Sequence, residues 1–274
     1  MTTRWKRSEV ALLSILVFVA TGCESEESPA APVDPLYPTI ITPLPTNDLA
    51  ALKSDFQRRY QRVCSDLDEY GHPVRRFGNS ALSCPPSIGI DVEAPYDGLV
   101  DATKAAMADM FDFTEVSDPS ALVVRRVSAA AETPFRKSFL TVSFENQRYE
   151  GREVLSTPIT AWVDSFGVLA VRGYHFAELH LPVIRFPSVA AQARIVGLEI
   201  PWDDILGREH IFVVTRDSFE GDPVQVFRPQ EVGDTIELYV AWEIGIARQG
   251  FLRWYVYVDI VTGELLGTRQ LFST

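Results

Sequence analysis

The sequence predicts an α+β protein, and three observations carry that prediction. Two stretches, Leu140–Val171 and Ile236–Leu266, alternate apolar and polar residues with period two, the mark of half-buried strands. Two others, Asn47–Tyr70 and Asp97–Phe111, repeat apolar residues at spacings of three and four, as amphipathic helices do. Short turns, Asp164-Ser-Phe-Gly167 and Arg248-Gln-Gly250, join successive strands, so the expected pairing is antiparallel.

The first residues read as an export signal. Arg4, Lys6 and Arg7 make a basic region, Val10–Ala20 is an apolar run too short to span a bilayer, and Ala20-Thr-Gly-Cys23 follows. That ending looks like a bacterial lipobox. It implies a signal peptide over 1–22, Cys23 as the acylated first residue of the mature chain, and a membrane-anchored lipoprotein of the bacterial cell envelope. An ordinary secretory signal or an uncleaved anchor is the alternative. The chain carries a net charge of −12; residues 1–22 hold three basic side chains and Glu9, so removing them takes the mature protein to −14. Such acidity argues against nucleic acid as a partner and against electrostatic docking on an anionic membrane, which leaves the lipid as the attachment.

Cysteine arithmetic fits export. With Cys23 assigned to the lipid, Cys64 and Cys84 remain as an even pair. In an oxidising compartment they read as a disulfide worth on the order of 3 kcal/mol, with two separately buried thiols as the rival. There is no CxxC motif to support a redox role.

Residues 23–45 form an acidic, proline-punctuated tether that cannot build a core. A helix is expected from Asn47 to about Tyr70 through Leu49, Leu52, Phe56, Tyr60, Val63 and Leu67, capped by Thr46 or Asn47 and stopped at Gly71. The rest of segment 46–96 is rich in Pro and Gly and reads as irregular, stapled to the helix by the cysteines. A second helix over 97–111 places Leu99, Ala102, Ala106, Met107 and Met110 largely on one side, and a short strand follows at Leu122–Val127.

Leu140, Val142 and Phe144 then alternate with Thr141, Ser143 and Glu145. The chain turns at Gln147-Arg-Tyr-Glu-Gly151, returns along Val154–Val163 and turns again at Asp164–Gly167 into Val168–Val171. Pro158 inside the return strand points to an edge or a bulge. This meander resembles the FTP domain in propeptides of thermolysin-like and fungalysin-like metallopeptidases. The Gln-x-Tyr-x-Gly and Asp-x-x-Gly turns carry the likeness, although Gly151-Arg-Glu-Val154 stands where that family usually has Gly-x-Pro-Val.

Farther on, Ser188 can cap a short helix running to Val196 before Gly197, and strands are expected near His210–Arg216 and Val224–Phe227. The last hairpin puts Ile236, Leu238, Val240, Trp242, Ile244 and Ile246 on one face, and Leu252, Trp254, Val256, Val258 and Ile260 on the matching face. Arg253, Tyr255, Tyr257 and Asp259 point away. With the Asp259-Ile-Val-Thr-Gly-Glu264 turn, this resembles the final hairpin of a PepSY domain. The two resemblances imply an FTP-like module over 97–180 and a PepSY-like module over 181–274, each an antiparallel sheet with helices on one face.

No enzyme chemistry is readable. A thermolysin-like enzyme needs His-Glu-x-x-His on a helix, whereas the histidines are His72, His175, His180 and His210, and none has that spacing. His175 and His180 read as exposed residues after a strand, and Asp217–Asp222 as a solvated turn rather than a calcium loop. Asp203 and Asp204 are expected to open a helical turn. Arg58-Arg59, Arg75-Arg76 and Arg125-Arg126 read as salt-bridging pairs or a partner-binding patch. There is no serine elbow, phosphate loop or dinucleotide fingerprint. The expectation is therefore a non-enzymatic protein with no metal and no cofactor. By resemblance it acts like a freestanding propeptide that binds a metallopeptidase in trans, as inhibitor or folding assistant. A general protein- or peptide-binding envelope module without a protease partner is the alternative. The chain's last stretch, Arg269-Gln270-Leu271-Phe272, is the candidate partner-binding segment, either as an added strand in a protease cleft or as a plain sheet strand.

Overall fold

The computed structural model describes residues 36–74, 96–129, 139–164, 166–204, 206–248 and 252–272. The fold is α+β, as expected. In chain order its elements are β1 (Thr39–Ile41), α1 (Thr46–Arg59), β2 (Asp66–Leu67), β3 (Pro73–Val74), α2 (Asp97–Asp109), α3 (Phe111–Thr114), β4 (Val124–Ala129) and β5 (Leu140–Phe144). Then come β6 (Arg148–Tyr149), β7 (Arg152–Val154), β8 (Thr160–Asp164), β9 (Gly167–Arg172), α4 (Ser188–Ile195), β10 (Glu199–Asp203) and β11 (Glu209–Val213). The chain finishes with β12 (Phe219–Val232), β13 (Thr235–Arg248), β14 (Leu252–Asp259) and β15 (Leu265–Phe272).

The large sheet has the order β15-β14-β13-β12-β7-β6, with β1 also paired to β13; the smaller one has the order β4-β5-β8-β9. Strand β13 is the spine of the large sheet. Ile246 stands opposite Trp254, Ile244 opposite Val256 and Trp242 opposite Val258, so the two apolar faces coincide as antiparallel pairing requires. Ala191 and Ile195 of α4, with Ile200 and Phe212 of the β10–β11 hairpin, cover that face, and the Phe212 ring stacks on Trp254 at 5.0 Å. Each aliphatic side chain buried there stabilises the fold by about 1.5–3 kcal/mol.

The turn after β14 is built by one carboxylate. Asp259 Oδ1 accepts from the N–H groups of Val261 at 2.6 Å and Thr262 at 2.9 Å. Gly263 sits at φ 73°, and a Cβ there would stand 2.7 Å from the Phe186 ring, so only glycine fits.

Several expectations need correction. The tether is folded at its carboxyl end, because β14 leaves β13 at Asp259 and β1 takes up the vacated edge, Thr39 lying opposite Leu238. Tyr37 Oη donates to Asp259 Oδ2 at 2.7 Å and accepts from the Val240 N–H at 3.1 Å. Helix α1 stops at Arg59 rather than Tyr70, since Tyr60 packs edge-on against Phe113 and the following backbone turns to the small sheet. There the Cys64 N–H donates to the Leu169 carbonyl, and Ser65 Oγ donates to that of Val171 at 2.7 Å. Neither Thr46 nor Asn47 caps α1; both lie inside the helix, after Pro45. Ser188 likewise begins α4 instead of capping it.

The return strand expected over 154–163 is broken at Leu155–Ile159, around Pro158. Its first part, β7, runs parallel to β12 in the large sheet, Glu153 opposite Val226, while β8 pairs with β5 in the small one. Ser156 adopts φ 63° in the crossing. Alternation alone does not reveal which sheet each half joins. The core of the small sheet is Phe56 of α1, Met107 of α2 and Phe113 of α3 against Val142, Phe144, Ala161 and Val171. Met110 packs there as expected, whereas Ala102 is exposed.

Candidate functional site

The strand alternation that buries one face of the large sheet leaves its second face to polar and aromatic side chains. Glu243 on β13, Tyr255 and Tyr257 on β14, Arg228 on β12 and Arg269 on β15 share that face by register: Arg228 is opposite Tyr239, Glu243 opposite Tyr257, and Tyr255 opposite Arg269. Tyr257 Oη donates to Glu243 Oε2 at 2.9 Å, and the Arg269 guanidinium approaches the same oxygen at 3.7 Å. Arg228 lies over the Tyr257 ring at 4.1 Å and Arg269 over the Tyr255 ring at 5.2 Å. Gly267 leaves room for this, since a Cβ there would stand 3.1 Å from Arg228.

Burial sets the electrostatics of the cluster. It raises the Glu243 carboxyl above the ordinary glutamate range, against the hydrogen bond from Tyr257 and the pull of Arg269. The Tyr257 phenol is held neutral by burial and by the adjacent Glu243 carboxylate. Burial also lowers the Arg228 guanidinium, whose Nε is buried without a partner.

Next to this cluster is a cleft of about 520 Å³. Arg269 and Leu271 of β15 form one wall, and Arg148 and Glu153 of the β6–β7 hairpin, with Asn146 before it, form the other. Arg125 of β4 and Glu145 after β5 contribute from the small sheet. Asn146 Nδ2 donates to Glu153 Oε1 at 2.5 Å, which fixes one carboxylate in the lining. Such a set can bind a polar, extended ligand through charge-assisted hydrogen bonds.

Of the candidate partner-binding residues, Arg269 and Leu271 reach the cleft, while Gln270 pairs opposite Trp254 and Phe272 opposite Leu252 in β15. The segment is thus a regular edge strand of the sheet. Of the basic pairs, Arg125 lines the cleft; Arg58 and Arg59 are ion-paired with Asp55, and Arg59 also with Asp112 at 2.6 Å. Cys23, Cys84 and Arg75-Arg76 lie outside the described residues. Arg148, Glu153, Arg228, Glu243 and Tyr257 were not singled out from the sequence. The period-two placement of Glu243 and Tyr257 on the polar face was the available signal; Arg148 and Glu153 arrive through the sheet crossing, which left none.

Two acid–base expectations change. Asp203 and Asp204 do not open a helical turn; Asp203 ends β10, and Asp204, next in the chain, organises the β10–β11 turn by accepting from the N–H groups of Leu206 at 2.8 Å and Arg208 at 3.0 Å. Those bonds hold its carboxyl down at about 2. His175 is not exposed: it is 7% accessible, its Nε2 has no partner, and burial depresses its pKa to about 4. His72 stacks on Tyr174 at 3.4 Å, with Glu115 Oε1 3.8 Å from its Nε2. Among the described residues no three His, Cys, Asp or Glu side chains group as a metal site. No helix among them is long and apolar enough to cross a membrane.

No family model and no curated protein matches the chain. Among solved structures, the Bacillus megaterium YpeB C-terminal domain is similar at 9% identity, with 85% of this chain and 100% of that chain covered and a TM-score of 0.32. A TM-score of that size assigns neither a fold family nor a function.

Proposed function

We propose that this protein is a non-enzymatic binding module of the bacterial cell envelope, attached through a lipid on Cys23 and resembling a freestanding metallopeptidase propeptide. It binds a metallopeptidase in trans, as inhibitor or folding assistant. The Gln147–Gly151 and Asp259–Glu264 turns support the propeptide resemblance. The observation that carries the binding role is the placement of Arg269 and Leu271: an edge strand offers both to a cleft walled by two sheets. The face is built for contact, with arginines over tyrosine rings and a shared carboxylate.

The test is inhibition of purified thermolysin-like enzymes by the full-length protein in detergent. Saturable inhibition that weakens in Arg269→Glu is expected; no inhibition and no assisted refolding of any such enzyme sinks the protease partner. A second reading, a peptide-binding envelope module with no protease partner, is favoured by the mixed arginine and glutamate lining of the cleft. Two supporting proposals have their own checks. Cys23→Ala releases the protein from membranes if the lipid is the anchor, and non-reducing peptide mapping finds Cys64 joined to Cys84 if the pair is oxidised.

A further inference from the structure

Several arginines of the described residues are matched to carboxylates, Arg62 to Asp164 at 3.1 Å and Arg208 to Asp204 at 2.9 Å. Two of the three that line the cleft are not. Arg125 and Arg148 are exposed, and among the described residues neither has a carboxylate within ion-pair distance; Arg148 donates to the Gly151 carbonyl at 3.3 Å. The carboxylate near Arg269, that of Glu243, is 3.7 Å away and already accepts from Tyr257. Against these three cations stand Glu145 and Glu153, the latter already accepting from Asn146. The lining of the cleft thus carries three arginines against two glutamates, on a chain of net charge −12. Guanidinium groups favour planar carboxylates that accept two hydrogen bonds, and a half-enclosed cleft screens such pairs less than open surface does.

We infer that the cleft takes an extended segment of a protein partner bearing carboxylate side chains, gripped by Arg125, Arg148 and Arg269. This rests on the binding-module reading and names the chemistry of what is bound. In an extended segment successive side chains point to opposite sides, so carboxylates at every second position can meet the arginines while neutral residues pass Glu145 and Glu153.

The probe is a dye-labelled decapeptide of alternating glutamate and threonine, with its glutamine–threonine counterpart as control. Fluorescence anisotropy against the full-length protein in detergent is the readout. The glutamate peptide binds saturably and more weakly as salt rises, and its counterpart binds at least about tenfold more weakly. Arg125→Ala and Arg148→Ala each weaken binding by about tenfold without moving Tm, as befits exposed residues. Equal affinity for the two peptides, indifference to both substitutions, or no saturable binding overturns the inference. So does a concentration-dependent dimer in sedimentation that Arg148→Ala abolishes while the peptide fails to bind, because the occupant is then a second copy. The parent reading fails separately: peptide binding without effect on any metallopeptidase removes the protease and keeps the cleft chemistry. Protease inhibition that persists in both variants removes the cleft chemistry and keeps the protease.

Discussion

The two faces of the large sheet are made by the same strands and differ in what they are for. On one, Ile244, Ile246, Trp254, Val256 and Val258 are sealed beneath α4 and the β10–β11 hairpin. On the other, Arg228, Glu243, Tyr257 and Arg269 hold one another in place beside an open cleft. Neighbouring residues of one strand thus serve opposite tasks. The first face is sealed by apolar burial; the second carries charged groups that are held by one another and by the tyrosine rings beneath them.

That contrast breaks first at Trp254, whose ring is buried and stacked on Phe212. Trp254→Ala costs about 3–5 kcal/mol in urea unfolding; a loss under about 1 kcal/mol would mean that the covered face is not the stabilising one. The next effect belongs to His175 after β9, whose backbone N–H donates to the Thr114 carbonyl and whose buried ring stays neutral. The unfolded chain takes up a proton near pH 6.5 and the folded one near pH 4, so stability is lost as pH falls through that window, by on the order of 3 kcal/mol. His175→Phe flattens that slope in Tm measured between pH 7 and pH 4; an unchanged slope assigns the acid sensitivity to other groups.

Smaller effects sharpen the comparison. Tyr37→Phe removes the hydrogen bond to Asp259, which is 1% exposed, and costs about 1–2 kcal/mol while loosening β1, seen as faster amide exchange at Thr39–Ile41. If exchange there is unaltered, β1 is held by its backbone pairing alone. Around the cleft, Arg125→Ala and Arg148→Ala change the unfolding free energy by less than about 0.5 kcal/mol. Losses comparable to that of Trp254→Ala would make the cleft a structural feature instead of a contact surface.

The final hairpin was legible almost residue by residue, because Ile236–Ile260 keeps strict alternation and closes on a turn whose carboxylate and glycine have specific tasks. Even so, alternation separates two faces without saying which is covered: Tyr257 and Asp259 point away from the first face as expected, yet both are buried. The candidate segment Arg269–Phe272 was placed correctly as a stretch of interest. Its partners across the cleft were invisible, since Arg125 and Arg148 lie more than a hundred residues away in sequence. The end of α1 was misjudged for a similar reason: helical periodicity continues through Val63 and Leu67, but docking on β9 takes the backbone out of the helix.

Sequence alone determined the local geometry of this protein: the period of each strand, the turns at Asp164–Gly167 and Asp259–Glu264, and the face on which each side chain emerges. These follow from steric and hydrogen-bonding preferences that act within a few residues. Only the tertiary structure decided that β7 would leave its neighbour β8 for the large sheet, that β1 would complete the edge of β13, and that three arginines would meet around one cleft. Those outcomes depend on which distant surfaces exclude water together, and burial of that kind has no period along the chain.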